Sequence, residues 1–168
     1  IKAIDLYLRE WSQSNEKLLI FGLHREPLDI LSEKYDSPLI AGGVSSKKKQ
    51  EIVNDWKTND KQFLFANISS AGTGVDGLQD ICSNMIIIEL PWRPSDLWQV
   101  IGRLDRSGQT RSPNIKYLLS DDSIDVEMWE MLSKKEEVIT AVNKGIDIKK
   151  TKSGMKYVMD KLKNKKKQ

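Results

Sequence analysis

The sequence predicts a three-layer α/β domain with a mostly parallel central sheet. Short apolar runs alternate with amphipathic stretches along most of the chain, the pattern of strands joined by crossover helices. The run Met85-Ile86-Ile87-Ile88 is apolar on both alternations, as in a strand covered on both faces. With 168 residues, 39% of them hydrophobic, the chain can build one sizeable core.

The elements follow in order. Ile1, Ile4, Leu8 and Trp11 recur at helical spacing. Lys17 to Phe21 reads as a buried strand, with Gly22 at its end and a helix from His24 to Tyr35 whose first turn accommodates Pro27. Pro38 to Ala41 is a second strand, followed by Gly42-Gly43. Ser45 and Ser46 can cap a helix bearing Ile52, Val53 and Trp56 on one side. Phe63 to Ala66 is a third strand, and a Gly/Ser-rich loop spans Ser69 to Gly77. Met85 to Leu90 is a fourth strand, with the stiff turn Pro91-Trp92-Arg93-Pro94 behind it. Ser95 is expected to cap a helix running on through Arg103 and Arg106. Asn114 to Leu119 is a fifth strand, and Ser123 starts a long helix stopped near Gly145.

Charge is uneven. The net charge is +3, from 27 basic and 24 acidic residues. Residues 149–168 carry nine lysines against Asp160 alone, so residues 1–148 are mildly acidic. Two segments are expected: a folded domain over 1–148 and a lysine-rich, partly disordered tail over 149–168. The tail can bind phosphate backbone or simply keep the end soluble. A single cysteine, Cys82, excludes an internal disulfide and a cysteine-rich zinc site. No apolar run approaches the roughly 20 residues of a membrane span, and an intracellular protein without membrane association is expected. The chain starts at Ile1 without an initiator methionine and is expected to be a fragment of a longer one.

Ligands of parallel α/β domains bind beyond the carboxyl ends of the strands. The chemistry-bearing segments fall there. Arg103 and Arg106, three apart, can present two guanidiniums to one phosphate chain if they share a helical face, with Gly102 permitting close approach and Gln99 one turn earlier. Ordinary surface arginines are the alternative. Ser69 to Gly77 can expose backbone amides and hydroxyls to an anion, or serve as a plain tight loop. It is not a P-loop, because no Lys-Ser or Lys-Thr follows the glycines. Trp92 can wedge against a neighbouring domain or cover the core edge, and Arg93 can contact phosphate. His24 has no carboxylate or cysteine paired with it in sequence and reads as a loop residue. Asp121, Asp122 and Asp125 read as a helix-start cluster rather than a metal site.

In order and spacing these segments resemble the second RecA-like lobe of superfamily 2 helicases and translocases, most closely the Snf2/Swi2-type group. Leu18 to Phe21 and the helix after it resemble motif IV. Gly42 to Ser46 with Lys47-Lys48-Lys49 resembles the Asp-Gly-Ser-Thr-Ser…Arg segment, with Ala41 in the Asp place. Ala71 to Asp76 resembles motif V. Glu89 to Pro94 resembles the acidic-x-x-Trp-Asn-Pro segment, with Arg93 in the Asn place. Gln99, Arg103, Arg106, Gly108 and Gln109 match motif VI.

The resemblance implies a two-lobe motor whose upstream lobe carries the P-loop and binds most of the ATP and Mg2+. Arg103 and Arg106 are then catalytic arginines, helped by Gln99, with Gly74, Asp76 and Gly102 beside the nucleotide. Gly43, Ser45, Lys47, Ser70, Gly72, Thr73, Trp92 and Arg93 contact nucleic acid, double-stranded DNA being favoured. No metal ligand is expected in this chain, and the isolated chain is expected to be inactive. A non-catalytic nucleic-acid-binding module on the same fold is the alternative.

Overall fold

The computed structural model describes residues 1–71, 74–119 and 124–144. Five strands, β1 (Leu18–Gly22), β2 (Leu39–Ile40), β3 (Phe63–Asn67), β4 (Asn84–Ile87) and β5 (Asn114–Tyr117), form one sheet in the order β2-β3-β1-β4-β5. All four pairings are parallel. The helices are α1 (Lys2–Trp11), α2 (Arg25–Lys34), α3 (Ser46–Thr58), the single turn α4 (Ile68–Ala71), α5 (Pro94–Ile101) and α6 (Ile124–Lys144). The expected RecA-like α/β architecture, with helices flanking a parallel sheet, is what the chain adopts.

Every residue of β1, β3 and β4 is buried, as continuous apolar runs in a doubly covered sheet require. One face carries Leu18, Ile20, Phe63, Phe65 and Ile86, packed with Leu8 of α1 and Leu28 and Leu31 of α2. The alternating residues Leu19, Phe21, Leu64, Met85 and Ile87 are also fully buried, and Val53 and Trp56 of α3 and Leu97 and Val100 of α5 are fully or nearly so. Lys17 terminates α3: its Nζ donates to the carbonyls of Trp56, Asn59 and Lys61 at 2.6, 3.0 and 3.0 Å, satisfying a helix end that has no intrahelical donors left.

The chain divides into two compact units. The sheet, its helices and the arginine segment form the first, residues 1–91 with 95–119. The second combines, among the described residues, Trp92–Pro94 with residues 124–144. Within it Met128, Trp129 and Leu132 of α6 are buried, and Lys135 Nζ donates to the Trp92 carbonyl at 3.3 Å. The lysine-rich tail, Asp121, Asp122 and Ser123 lie outside the described residues.

Candidate nucleotide and nucleic-acid site

The register Gly22↔Asn67 and Phe21↔Ile87 brings the carboxyl ends of β3, β1 and β4 level. The connections of β1 and β4 leave in opposite directions, so the boundary between them is the sheet's topological switch point. The chain leaving β1 there is gripped from both sides. Asn67 Nδ2 donates to the Leu23 carbonyl at 2.6 Å, and Glu89 Oε2 accepts from the Leu23 and His24 amides, each at 2.8 Å. Glu89 Oε1 lies 2.9 Å from His24 Nδ1. His24 lies in the bend between β1 and α2, as expected of a strand-end loop residue, but it is paired to a carboxylate 65 residues away, which corrects the expectation of no such partner. Local spacing could not show a partner so distant.

Beyond β3, the expected Gly/Ser loop opens with the helical turn α4 and closes with Gly77 at φ +87° before a 3-10 turn at Leu78–Asp80. Between them lies the anchor of the site. Asp76 is 71% exposed, and its Oδ1 accepts from Arg106 Nη1 and stands 3.9 Å from Arg103 Nη1. Arg103 Nη1 donates to the Val75 carbonyl at 2.6 Å. Both guanidiniums thus converge on one two-residue stretch. Arg103 is 16% exposed and Arg106 48%, so the first is a seated cation and the second a reachable one. Burial lowers the Arg103 pKa, with Asp76 pulling it back up and Arg106 adding to the lowering.

The convergence does not come from a shared helical face. Helix α5 ends at Ile101, and Arg103 and Arg106 sit in the turns after it. Gly102, Asp105, Ser107 and Gly108 are poor helix continuers, and Gly108 takes φ +99°. A Cβ on Gly102 would stand 3.2 Å from the Trp98 carbonyl, so a glycine suits the helix exit. Ser95 does not precede the helix as a cap. It lies inside α5, which begins at Pro94, and its Oγ donates to Asp96 Oδ1 at 3.4 Å. Gln99 is exposed on α5.

Helix α3 supplies the opposite wall. Ser45 is its N-cap, accepting from the Lys48 amide at 3.3 Å, and Gly43 before it takes φ +80°. Gly43, Ser45 and Lys47 are all exposed. Gly74 takes φ +73°, and a Cβ there would come within 2.6 Å of Ser46 Oγ. The loop after β3 therefore packs directly on the start of α3. Ser70 is buried, its carbonyl accepting from the buried Lys49 Nζ at 2.6 Å. An open cavity of about 530 Å³ lies beside Arg106, lined among others by Gln50, Asp76, Gln79 and Asp80. Trp92 and Arg93 belong to the second unit, where Trp92 is 55% exposed. Gly72 and Thr73 lie outside the described residues.

Residues 1–108 match the family model of the helicase conserved C-terminal domain. The chain belongs to that family. It is 31% identical over 143 residues to the human DNA annealing helicase and endonuclease ZRANB3, covering 81% of this chain and 13% of that protein. It is 30% identical over 146 residues to the SWI/SNF-related matrix-associated actin-dependent regulator of chromatin subfamily A-like protein 1 of Xenopus tropicalis, covering 83% of this chain and 15% of that protein. Among solved structures, the C-terminal part of the Fun30 ATPase domain superposes with a TM-score of 0.68 at 25% identity, covering 79% of this chain and 44% of that one. The Pyrococcus furiosus Hef helicase domain shares the fold, with a TM-score of 0.57 at 14% identity, covering 77% of this chain and 28% of that one. The chain is thus a superfamily 2 helicase C-terminal domain homologous to Snf2/Swi2-family ATPases, and it spans under a fifth of the length of these curated relatives.

The helicase C-terminal domain offers guanidinium donors that suit a phosphate chain. Among the described residues no group of three or more His, Cys, Asp or Glu is placed to hold a metal. No described helix is long and apolar enough to cross a membrane. The roles of three residues of the domain's site escape sequence reasoning. Lys49 hides in a run of three lysines, yet 49, 53 and 56 share the inward helical face, and that spacing is its signal. Gln50 acts over 26 residues and leaves no local trace, and Glu89, visible as the acidic residue of its segment, gives no local sign of its partner 65 residues away.

Proposed function

We propose that this domain is the second motor lobe of an ATP-dependent, Snf2-type translocase acting on double-stranded DNA. The observation that carries the reading is the convergence of Arg103 and Arg106 on one carboxylate oxygen of Asp76, one donor seated and one reachable. Asp76 keeps two phosphate-suited guanidiniums together, which supports their complementing an anionic phosphoryl group when the cleft between lobes closes.

In this reading ATP and Mg2+ are held mainly by an upstream P-loop lobe of the same protein. Bound Mg2+ supplies charge neutralisation on the phosphate oxygens. Arg103 and Arg106 exchange their contacts at Val75 and Asp76 for the transferred phosphoryl group, and Gln99, exposed on α5, helps close the cleft. Gly74, Asp76 and Gly102 line the nucleotide side. Gly43, Ser45, Lys47, Gly72, Thr73, Trp92 and Arg93 provide contacts to the nucleic-acid backbone, whereas Ser70, expected among them, is buried with its carbonyl held by Lys49. The names of the relatives, a DNA annealing helicase and a chromatin regulator, favour duplex DNA as the track.

The test is ATP hydrolysis by the protein carrying its upstream lobe, with and without duplex DNA and with RNA beside it. Duplex-stimulated turnover, absent from the isolated domain, is expected. DNA binding without turnover would favour a non-catalytic binding module.

A further inference from the structure

We infer that Gln50 is a positioning residue that couples nucleic-acid contact on α3 to the arginine pair, an inference resting on the function proposed above. Its side-chain amide clasps the backbone of Asp76 from both directions. Gln50 Oε1 accepts from the Asp76 amide and Gln50 Nε2 donates to the Asp76 carbonyl, each at 3.0 Å. The second hydrogen of Nε2 is directed to Asn54 Oδ1 at 3.1 Å, one turn further along α3. Both amide hydrogens and the carbonyl oxygen are thereby engaged, which fixes the orientation of the amide.

The clasped residue is the one whose carboxylate meets Arg106 and Arg103, and the residue before it gives its carbonyl to Arg103. The clasping residue stands one turn along the helix whose first residues, Ser45 and Lys47, are exposed and are assigned to nucleic-acid contact by the proposed function. Gly74 against Ser46 adds a steric contact between the same two segments. A small shift of α3 on engaging a phosphate backbone is therefore transmitted through two hydrogen bonds to the peptide that seats both guanidiniums. Lys49 of the same helix donates to the Ser70 carbonyl, upstream of the arginine anchor.

Two substitutions grade the effect. Gln50→Met keeps length and removes both bonds. Gln50→Glu keeps an acceptor for the Asp76 amide and loses the donor to its carbonyl. In the protein carrying its upstream lobe, the ratio of duplex-stimulated to DNA-free kcat is expected to fall about tenfold in Gln50→Met, the effect of roughly two hydrogen bonds. Gln50→Glu should fall between it and the wild type, and the duplex concentration giving half-stimulation should stay at the wild-type value. A purely structural role would scale both turnover rates together and leave the ratio unchanged. Wild-type ratios in both variants would overturn the coupling alone. A wild-type protein with no duplex stimulation would overturn the proposed function and the coupling with it.

Discussion

Asp76 and Arg106 form an ion pair that bridges 30 residues of sequence, tying the loop beyond β3 to the turn beyond α5. The pair sits in the open: Asp76 is 71% exposed and Arg106 48%. Solvent-exposed pairs of this kind contribute at most about 1 kcal/mol. Asp76→Ala should therefore leave the unfolding midpoint in urea nearly unchanged while altering ATP turnover in the two-lobe protein. A large loss of stability would mean that the contact is structural.

Two glycines with positive φ separate backbone freedom from close packing. Gly77 has φ +87°, and a Cβ there would have Asp80 Oδ2 as its nearest neighbour at 3.7 Å. Gly77→Ala should cost about 1 kcal/mol, from backbone strain alone. Gly74→Ala carries the same strain and also drives its Cβ to 2.6 Å from Ser46 Oγ. It should be measurably more destabilising than Gly77→Ala in chemical denaturation, and equal losses would contradict the packing of this loop on α3.

The core makes a stronger demand. Phe65 is fully buried in β3 beside Ile20, and Phe65→Ala should cost about 3–5 kcal/mol. Trp98, larger but 48% exposed on α5, should cost less than Phe65 on substitution by alanine, because about half of its surface is already in solvent. Equilibrium unfolding of the two variants gives the comparison directly.

Asp5 makes part of the stability pH-dependent. Hydrogen bonds from Lys34 and Tyr35 hold its pKa below the ordinary 3.8 against the opposing effect of burial, and the charges of Arg9 and Lys34 add to the lowering. A folded-state pKa below the unfolded one means that the unfolded chain binds more protons between the two values. The contribution is thus present above the unfolded pKa and lost as pH falls through the folded one. Unfolding of wild type and Asp5→Asn should show a difference near neutrality that shrinks as pH falls below about 4.

Much of the fold was legible because buried parallel strands need uninterrupted apolar runs. Leu18 to Phe21, Phe63 to Ala66 and Met85 to Ile88 are too apolar for any solvent-facing element, and Ser45 before a run with inward-facing Val53 and Trp56 marks a capped helix. The site was legible as a set of segments, since loops beyond strand ends gather at one edge of the sheet. Its geometry was not. The pair Arg103 and Arg106 fits helical spacing, but spacing is silent on where α5 stops, and Gly102 with the Asp105 to Gly108 turn stops it first. The His24–Glu89 and Gln50–Asp76 contacts depend on which strands become neighbours, a property of the sheet order rather than of any local window.

The most direct test of the motor reading is ATP turnover by the protein with its upstream lobe, measured at saturating duplex DNA for the wild type, Arg103→Ala and Arg106→Ala, with duplex affinity recorded for each. If the arginines complement the transferred phosphoryl group, each variant should lose turnover by about a thousandfold or more while binding duplex at wild-type strength. Turnover near the wild-type rate in either variant would contradict the role assigned to that arginine, and in both it would contradict the account.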